Sequence, residues 1–380
     1  MIVRQFLEWL ETAPPGQRAE AAHAMARAYL YSEVEPAARE DMEAAMTVLL
    51  DDPAAEVRYA LADALAVDPR APRHIILTLA SDHLDIAGLV LTCSPVFIDP
   101  ELVDIVAAAD GPRQAAVAAR LPVSAAVSAA VAEVGEAEAC IALLGNPDAA
   151  IAAISLARLA ERHGEDAEIR DRLLERSDLP PDIRQMLIRR LGDRLGAFVT
   201  GKAWIAPERA RHVTRDACER ATIAIAAESE TVDLGALVEH LRVTGQLTTA
   251  LLLRAVCAGN IRLFEAALTA LSRMPEGRVA GLIRSGRLSA LRAVYKKAGL
   301  PASAFEAFAA AIETAREAEH SETPVGRHAL ARRTVERVMA RYSAITDGEA
   351  NELVAMLRRY AAEEARESAR AVARSMRDAA

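Results

Sequence analysis

The chain has few aromatic residues and almost no lysine. Phe, Trp and Tyr make up 4% of its 380 residues. Lysine occurs only at positions 202, 296 and 297, so arginine supplies nearly all the strong bases. The apolar residues are therefore mainly Ala, Leu, Val and Ile. Because Ala is the strongest helix former, this composition favours closely packed helices over sheets.

Motifs typical of phosphate, nucleotide, zinc and serine-hydrolase sites are also absent. The sequence has no Gly-rich phosphate loop, HExxH, GxSxG or dinucleotide fingerprint. The closest two of its four cysteines, Cys218 and Cys257, are 39 residues apart, and no two histidines are three or four residues apart. We therefore expect reduced, buried cysteines, no metal, no cofactor and no enzymatic activity.

Long hydrophobic runs are missing as well. No window approaches the roughly 18 uninterrupted apolar residues that indicate a membrane-spanning helix. The segment up to Pro15 has no basic region ahead of an apolar stretch and no cleavage-like site. From this we expect a cytoplasmic protein with no membrane partner.

Charge is distributed unevenly along the chain. Residues 1–180 carry 14 Arg against 30 Asp and Glu, a net charge of −16. Residues 181–300 carry 19 Lys and Arg against 11 acidic residues, a net charge of +8. Such an asymmetry can steer a partner electrostatically, or it can reflect a solvated arm followed by a segment rich in salt bridges.

What the sequence does contain is a recurring helix start. Asp52-Pro53 precedes an amphipathic helix, and similar starts recur near residues 82, 112, 147 and 180, at steps of 29 to 35 residues. An Asp or Asn in this place caps free amides, and Pro in the first turn loses no hydrogen bond. Shorter helices are expected in between, over 73–79, 100–107, 124–134 and 168–175. This period is typical of a helical-repeat array.

The sequence thus predicts an all-α fold, a HEAT-like α-solenoid of stacked antiparallel helix pairs. We expect capping helices at 1–50 (over 2–11, 17–30 and 36–50), HEAT-like repeats at 51–200, a second helical block at 201–315, and a linker with C-terminal helices at 316–380. In the last part the linker should cover 318–326 and the helices 329–344 and 348–374, the second with an apolar face of Leu353, Met356, Leu357 and Tyr360. The repeat should fray near 195–200 and bend at 201–207. The second block should hold helices over 207–227, 233–244, 248–258, 261–271, 276–284 and 288–298, with C-cap glycines at Gly245, Gly259, Gly286 and Gly299.

Two resemblances support this prediction. Asp52-Pro53, Val57-Arg58 and Ala62 resemble the core of a HEAT repeat, in which the arginine usually bonds to a carboxylate in an adjacent turn. The resemblance implies a structural role for Arg58. The wider chain, over roughly residues 45–310, resembles the bacterial family called domain of unknown function 2336, through ILTLASD at 76–82, LTCSPVF at 91–97, LLGN at 143–146, AGNIRLF at 258–264 and KAGLP at 297–301. This implies a HEAT-like solenoid and no particular activity.

Two basic clusters are the candidate binding surfaces. The first surrounds Trp204 and comprises Arg189, Arg190, Arg194, Lys202, Arg209, Arg211, Arg215 and Arg220; the second comprises Arg284, Arg287, Arg292, Lys296 and Lys297. Basic side chains can neutralise phosphates and an indole can stack on a base. An acidic protein would suit either cluster as well. Acidic residues interleave the first cluster, at Asp193, Glu208, Asp216 and Glu219, and Trp204 itself is expected to be structural.

The leading functional hypothesis is a non-catalytic protein-interaction scaffold, used in bacterial signalling by analogy with other such modules. Its partner would contact the concave solenoid surface, through helices near 53–66, 112–121 and 147–160. The alternative is a nucleic-acid-binding protein with a continuous positive groove at residues 189–220. An enzyme would require a deep pocket holding a carboxylate with a perturbed pKa. A homodimer, with the acidic arm of one copy on the second basic cluster of another, is also open.

Overall fold

The described part of the chain is all-helical, which confirms the predicted fold class. The computed structural model describes residues 6, 8–319, 327–342, 355, 357–362, 365–366 and 369–370. Among them there is no strand, and Val123 and Ala149 form an isolated parallel bridge between two loops. None of the described helices combines the length and the apolar character that crossing a membrane would take. The chain forms two compact units, Met1–Leu179 (unit 1) and Pro180–Ala380 (unit 2). The four-part division of the sequence stays a prediction.

Unit 1 consists of short helices separated by tight turns. They are α1 (Pro15–Tyr31), α2 (Pro36–Leu49), α3 (Ala55–Leu65), α4 (Arg73–Leu79), α5 (Leu84–Cys93), α6 (Asp99–Ala108), α7 (Gly111–Ala118), α8 (Ala125–Val134), α9 (Ala137–Gly145), α10 (Ala153–His163) and α11 (Ala167–Glu175). Helices α1 and α2 confirm two of the three predicted N-terminal helices. The third, over 2–11, lies largely outside the described residues.

The helices of unit 1 contact one another in two rows. In the first row α1, α3, α5, α7, α9 and α11 each contact the next, and in the second row α6, α8 and α10 do so. The apolar spacing within each helix explains this packing. In α3, Val57, Leu61 and Leu65 recur every four residues on one face, and all three are fully buried.

One predicted repeat start is wrong. Asn146-Pro147 was expected to open a helix, but residues 146–152 are non-helical and α10 begins at Ala153. The first-row helix at this point is α9, which the sequence pattern did not predict. Asn146, 5% exposed, anchors the loop instead, since its amide donates to the carbonyl oxygens of Ala118 and Arg120 at 2.9 and 2.7 Å. The three helices expected to line one surface, α3, α7 and α10, therefore belong to different rows.

Arginine–aspartate pairs join successive helices of the first row. Arg18 on α1 donates to both carboxylate oxygens of Asp52, which precedes α3, at 2.8 Å each. Arg58 on α3 donates in the same way to Asp82, which precedes α5, at 2.6 and 2.9 Å. Arg58 also donates to the carbonyl oxygen of Asp52 at 2.5 Å, and Arg113 on α7 to that of Asp82 at 2.6 Å. The expectation that Arg58 bonds to a carboxylate is confirmed.

These pairs keep both aspartates in their charged form. Hydrogen bonding from Arg18 is the main cause that lowers the pKa of Asp52, and hydrogen bonding from Arg58 lowers the pKa of Asp82. The four side chains are at most 14% exposed. A bidentate pair that is largely removed from water is sensitive to the loss of either partner, because the remaining charge is left without compensation.

Unit 2 has longer helices at its start and shorter ones after. They are α12 (Pro181–Gly201), α13 (Pro207–Glu228), α14 (Thr231–Val243), α15 (Thr249–Cys257), α16 (Ile261–Ser272), α17 (Glu276–Arg284), α18 (Leu288–Lys297), a 3₁₀ turn (Ala302–Ala304), α19 (Phe305–Glu319) and α20 (Arg327–Tyr342). Every helix predicted between 207 and 298 is present within two residues of its expected ends. The four predicted C-cap glycines have φ from +68° to +82°, the left-handed region that glycine favours.

The C-terminal expectations are only partly covered. The helix expected at 329–344 is present as α20, and the expected linker falls mainly on residues 320–326, outside the described residues. Of the apolar face expected in the last helix, Leu353 and Met356 also lie outside them. Leu357 and Tyr360 are buried in the core of unit 2.

Helix α15 forms the centre of unit 2. All seven residues from Leu251 to Cys257 are buried, and the helix contacts α16, α19 and α20. Phe264 on α16 stacks on Phe308 of α19, with ring centroids 4.9 Å apart. Every residue of this run is apolar except Arg254, so one charged side chain lies within the core.

The cysteines correct one expectation. Cys140, Cys218 and Cys257 are buried as expected, but Cys93 is exposed. All four are free thiols. Burial raises the pKa of Cys140 to about 11 and that of Cys257 to about 12, so both are inert small apolar residues at neutral pH.

We expect Arg58→Ala to weaken the contact between α3 and α5 by about 1–3 kcal/mol, because Asp82 then loses a bidentate donor. Native-state hydrogen exchange of peptides covering residues 55–93 measures this loss. The control is Arg158→Ala, which removes ion pairs to Glu133 and Glu161 on exposed side chains and should change exchange in its own region far less. Equal losses in the two variants would contradict the structural role of Arg58.

Candidate functional site: a basic hairpin and a polar cavity in unit 2

The first basic cluster lies on a helical hairpin formed by α12 and α13. A turn over residues 202–206 joins the helices, where the sequence predicts a bend, but α12 is continuous to Gly201 and does not fray at 195–200. A Cβ on Gly192 would lie 2.8 Å from Sγ of Cys218, and one on Gly196 would lie 3.1 Å from Oγ1 of Thr214. Both glycines lie inside α12, and because they have no side chain, α13 can pack closely against α12 there.

The hairpin exposes large apolar side chains. Leu191, Leu195 and Phe198 are spaced by four and three residues, so they share one face of α12, and they are 39%, 59% and 52% exposed. Trp204, 69% exposed, packs edge-on against Phe198 with ring centroids 5.7 Å apart. We call these four residues the aromatic stripe. The expectation that Trp204 is structural is wrong, since its indole is mostly in solvent.

The basic residues of the hairpin divide into two groups. The exposed ones are Arg194, Lys202, Arg209, Arg211, Arg215 and Arg220, whereas Arg189 and Arg190 are half-buried. Two exposed acidic residues lie among them: Asp193, 3.0 Å from Nε of Arg189, and Glu208. The hairpin therefore does not present an uninterrupted positive surface.

The second basic cluster lies on a different pair of helices. Its members are on α17, on α18 and in the turn between them, and all are exposed: Arg284, Arg287, Arg292, Lys296 and Lys297. Arg292 pairs with Glu306 at 2.8 Å. The cluster carries no large apolar stripe comparable to that of the hairpin; Leu288 is its one large exposed apolar side chain among the described residues.

A cavity of about 1040 Å³ lies beside α13 in unit 2. Its wall is formed mainly by α13, the end of α14 with the loop after it, the first turns of α15 and residues 301–304, and Arg189 of α12, Ala355 and Arg359 complete it. Of the predicted basic residues, only Arg189 and Arg215 line it. The wall contains both apolar and polar side chains, and the polar ones include four threonines at 222, 244, 248 and 249.

The most buried charged side chain of this wall is Arg254, which is 1% exposed. Its Nη2 donates to Oδ1 of Asp216 at 3.0 Å, and its Nη1 lies 3.2 Å from Oε2 of Glu219. The guanidinium also lies over the ring of Tyr360, 5.6 Å from the centroid. Its Nε has no hydrogen-bond partner among the described residues. One buried guanidinium therefore contacts two carboxylates and keeps one unused donor.

Sequence reasoning missed Arg254. Asp216 and Glu219 were seen only as acidic residues that interrupt a basic stretch. A signal was present: a single arginine stands within the apolar run of Leu251–Cys257. A charge in the middle of a fully buried helix requires a partner, and its partners are 35 and 38 residues earlier in the chain.

Burial raises the pKa of Glu219, against the opposing effect of Arg254. Glu219 is thus a carboxylate with a perturbed pKa at the wall of a cavity, which is one of the features that the enzyme hypothesis requires. Its contact with Arg254 makes it a counter-ion. Burial also raises the pKa of Cys218, which leaves that thiol protonated. Within the described ranges, no group of three or more His, Cys, Asp or Glu is placed to hold a metal ion. The wall is suited to bind a charged polar molecule.

We expect Glu219→Gln to change how stability depends on pH. Because the folded-state pKa of Glu219 is raised, the folded wild type binds a proton more tightly than the unfolded chain, and its stability falls as pH rises above about 4.5. The variant lacks this loss. The free energy of unfolding of both proteins is measured with urea from pH 4.5 to 7.5. As pH rises over this range, the variant should become more stable relative to the wild type.

The matched control is Glu239→Gln. Hydrogen bonding from Arg242 lowers the pKa of Glu239, so the stability that this carboxylate contributes is lost only as pH falls below about 4.5. Its stability difference from the wild type should therefore stay nearly constant from pH 4.5 to 7.5. An equally constant difference for Glu219→Gln would show that burial does not dominate the pKa of Glu219.

Comparison with known proteins assigns the chain to one family. No curated protein and no solved structure matches it. Residues 86–348 match a family described as an uncharacterised protein conserved in bacteria (DUF2336), which extends further toward the C-terminus than the resemblance seen in the sequence. The match covers more than half of the chain and includes both helices of the basic hairpin and α15, which carries Arg254. The chain therefore belongs to the bacterial family DUF2336.

Proposed function

We propose that this chain is a non-catalytic scaffold that binds a partner protein in the bacterial cytoplasm. The observation that carries the proposal is the aromatic stripe, in which Leu195, Phe198 and Trp204 are each more than half exposed. Exposed apolar patches of this kind mark interaction sites. Aromatic residues and arginine are also the types most enriched among the residues that dominate protein interfaces.

The scaffold part of the proposal is supported by unit 1, which we take to be a HEAT-like solenoid. Its helices contact one another in rows, and Arg–Asp pairs join neighbours along the first row. An array whose members contact mainly their neighbours is how a solenoid builds an extended binding frame. The cytoplasmic location is supported by the four free cysteines, which fit a reducing compartment.

The chemistry of the hairpin selects an acidic partner. Residues 189–215 carry seven basic and two acidic side chains, a net charge of +5. Opposite charge on the partner would speed association, and burial of the stripe would supply most of the affinity. A second copy of the chain meets the charge requirement too, because residues 1–180 carry a net charge of −16.

Nucleic-acid binding is the alternative, and one observation favours it. The exposed indole of Trp204 lies two residues from Lys202, and a base could stack on it. The exposed carboxylates of Asp193 and Glu208 on the same hairpin weigh against it, because they would repel a phosphate backbone. We therefore rank a protein partner first.

The test is affinity capture from lysate of the source organism, with and without nuclease. Wild type is compared with Phe198→Ala/Trp204→Ala, which removes the two rings of the stripe. We expect one protein to be captured in a fixed ratio, to survive nuclease, and to bind the variant at least about tenfold more weakly. The affinity is then measured with the purified partner.

The matched control is Val243→Ala/Leu288→Ala, which removes two exposed apolar side chains of unit 2 outside the stripe, 70% and 51% exposed. It should leave capture unchanged. If the stripe variant and its control both still capture the partner protein, the stripe is not the docking surface. If nucleic acid is recovered with the wild type but not with Arg194→Gln/Lys202→Gln, the alternative replaces the proposal. If the chain associates with itself and Phe198→Ala/Trp204→Ala does not, the partner is a second copy.

A further inference from the structure

We propose that the cavity of unit 2 binds a phosphorylated small molecule of about nucleotide size. The site is distinct from the aromatic stripe, because none of the four stripe residues lines the cavity. Three features of the wall support an anionic ligand: the start of a helix, an excess of arginine, and a buried donor that the protein itself leaves unused.

The first feature is the start of α15. Thr248 caps this helix, with its Oγ1 accepting from the backbone N–H of Leu251 at 3.1 Å. Thr248, Thr249, Ala250 and Leu251 all line the cavity. The N–H groups of Thr249 and Ala250 donate to no acceptor in the described structure. Free amides at the positive end of a helix dipole are a common binding site for phosphate.

The second feature is the charge of the wall. Four arginines line the cavity, at positions 189, 215, 254 and 359, against the two carboxylates of Asp216 and Glu219. Both carboxylates are engaged by Arg254, so they do not offer a free cation site. Arg215, on α13, is exposed at the cavity and forms no ion pair or hydrogen bond among the described residues. Arg189 pairs with Asp193 on its own helix, so the positive charge that remains at the wall is that of Arg215 and Arg359, and it favours an anion.

The third feature is the unused donor on Arg254. This side chain is 99% buried and lines the cavity, and its Nε–H, which is closed to solvent, has no acceptor among the described residues. A buried donor without a partner is costly in a folded protein. An anion bound at the wall would reduce that cost by placing negative charge next to the guanidinium.

The combination favours a phosphate over a carboxylate, and an organic phosphate over the free ion. Guanidinium groups and helix amides together offer more donors than the two oxygens of a carboxylate can accept, and phosphate has three. A cavity of about 1040 Å³ is at the upper end of the range for whole organic ligands. The apolar part of its wall, including Leu241, Pro301 and Ala304, is suited to contact the organic portion.

The experiment is isothermal titration of the full chain with a panel of defined probes. The probes are the four ribonucleoside triphosphates, ribose 5-phosphate, inorganic phosphate, and citrate as an anion without phosphate. We expect at least one organic phosphate to bind about tenfold or more tightly than citrate and inorganic phosphate. The two sets of organic probes distinguish a nucleotide from a simpler sugar phosphate.

Two variants test the geometry without disturbing the core. Thr249→Pro removes one free N–H at the first position of α15, where proline is well tolerated. Arg215→Gln removes an exposed charge from the wall. Each should weaken binding about fivefold or more. The matched controls are Leu288→Pro, the same change at the first position of α18, and Arg211→Gln, an exposed arginine of α13 that does not line the cavity. Neither control should alter affinity.

Circular dichroism confirms that each protein is folded. The proposal is overturned if folded wild type binds no organic phosphate at roughly 1 mM. It is also overturned if citrate binds as tightly as the best phosphate, or if Thr249→Pro and Arg215→Gln both bind like wild type. Because Phe198→Ala/Trp204→Ala leaves the wall intact, it should bind the ligand normally even where it loses the protein partner.

Discussion

A guanidinium group held against carboxylates away from water is the interaction on which both units depend. In unit 1, Arg58 and Asp82 join one helix of the first row to the next. In unit 2, Arg254 binds Asp216 and Glu219 in the middle of an apolar helix. Arginine suits this role because its planar head stays charged when desolvated and matches a carboxylate with two parallel bonds. A chain with 45 strong bases and almost no lysine is well supplied with such groups.

Both proposed sites use α13. Toward α12 it presents Thr214 and Cys218, which Gly192 and Gly196 approach closely. Arg215, Asp216 and Glu219 line the cavity. The hairpin that carries the aromatic stripe and the wall that would hold a phosphate therefore share helix α13. Their integrity depends on the same α12–α13 contact, so a bulky residue at Gly192 would disturb both.

Much of the fold could be predicted, because the signals that define these helices are local. Apolar periodicity located the helices of unit 2, and glycines at Gly245, Gly259, Gly286 and Gly299 marked helix ends through their own backbone preference. Arg58 could be assigned from the motif around it. Helix α9 was missed because Glu136, and not an Asp or Asn, stands at its start, so the Asp- or Asn-based signal was absent there.

The candidate site could not be predicted in the same way. Whether Trp204 is buried depends on which helices cover it, and no local pattern in the sequence records that. The cavity depends on α13 and α15 coming together across 35 or more residues, which brings Arg254 to Asp216 and Glu219. The sequence did place Arg189 and Arg215 in a candidate surface, but it could not show that these two line a cavity while Lys202 and Arg211 do not.

The burial of α15 has a mechanical consequence. Its residues from Leu251 to Cys257 pack on every side, so the helix has no free face along which it could slide independently. A displacement at its first turn must be shared with α16, α19 and α20, the helices it contacts. A displacement at one end of this nine-residue helix would therefore move the helices around it as a rigid group and would not stay local.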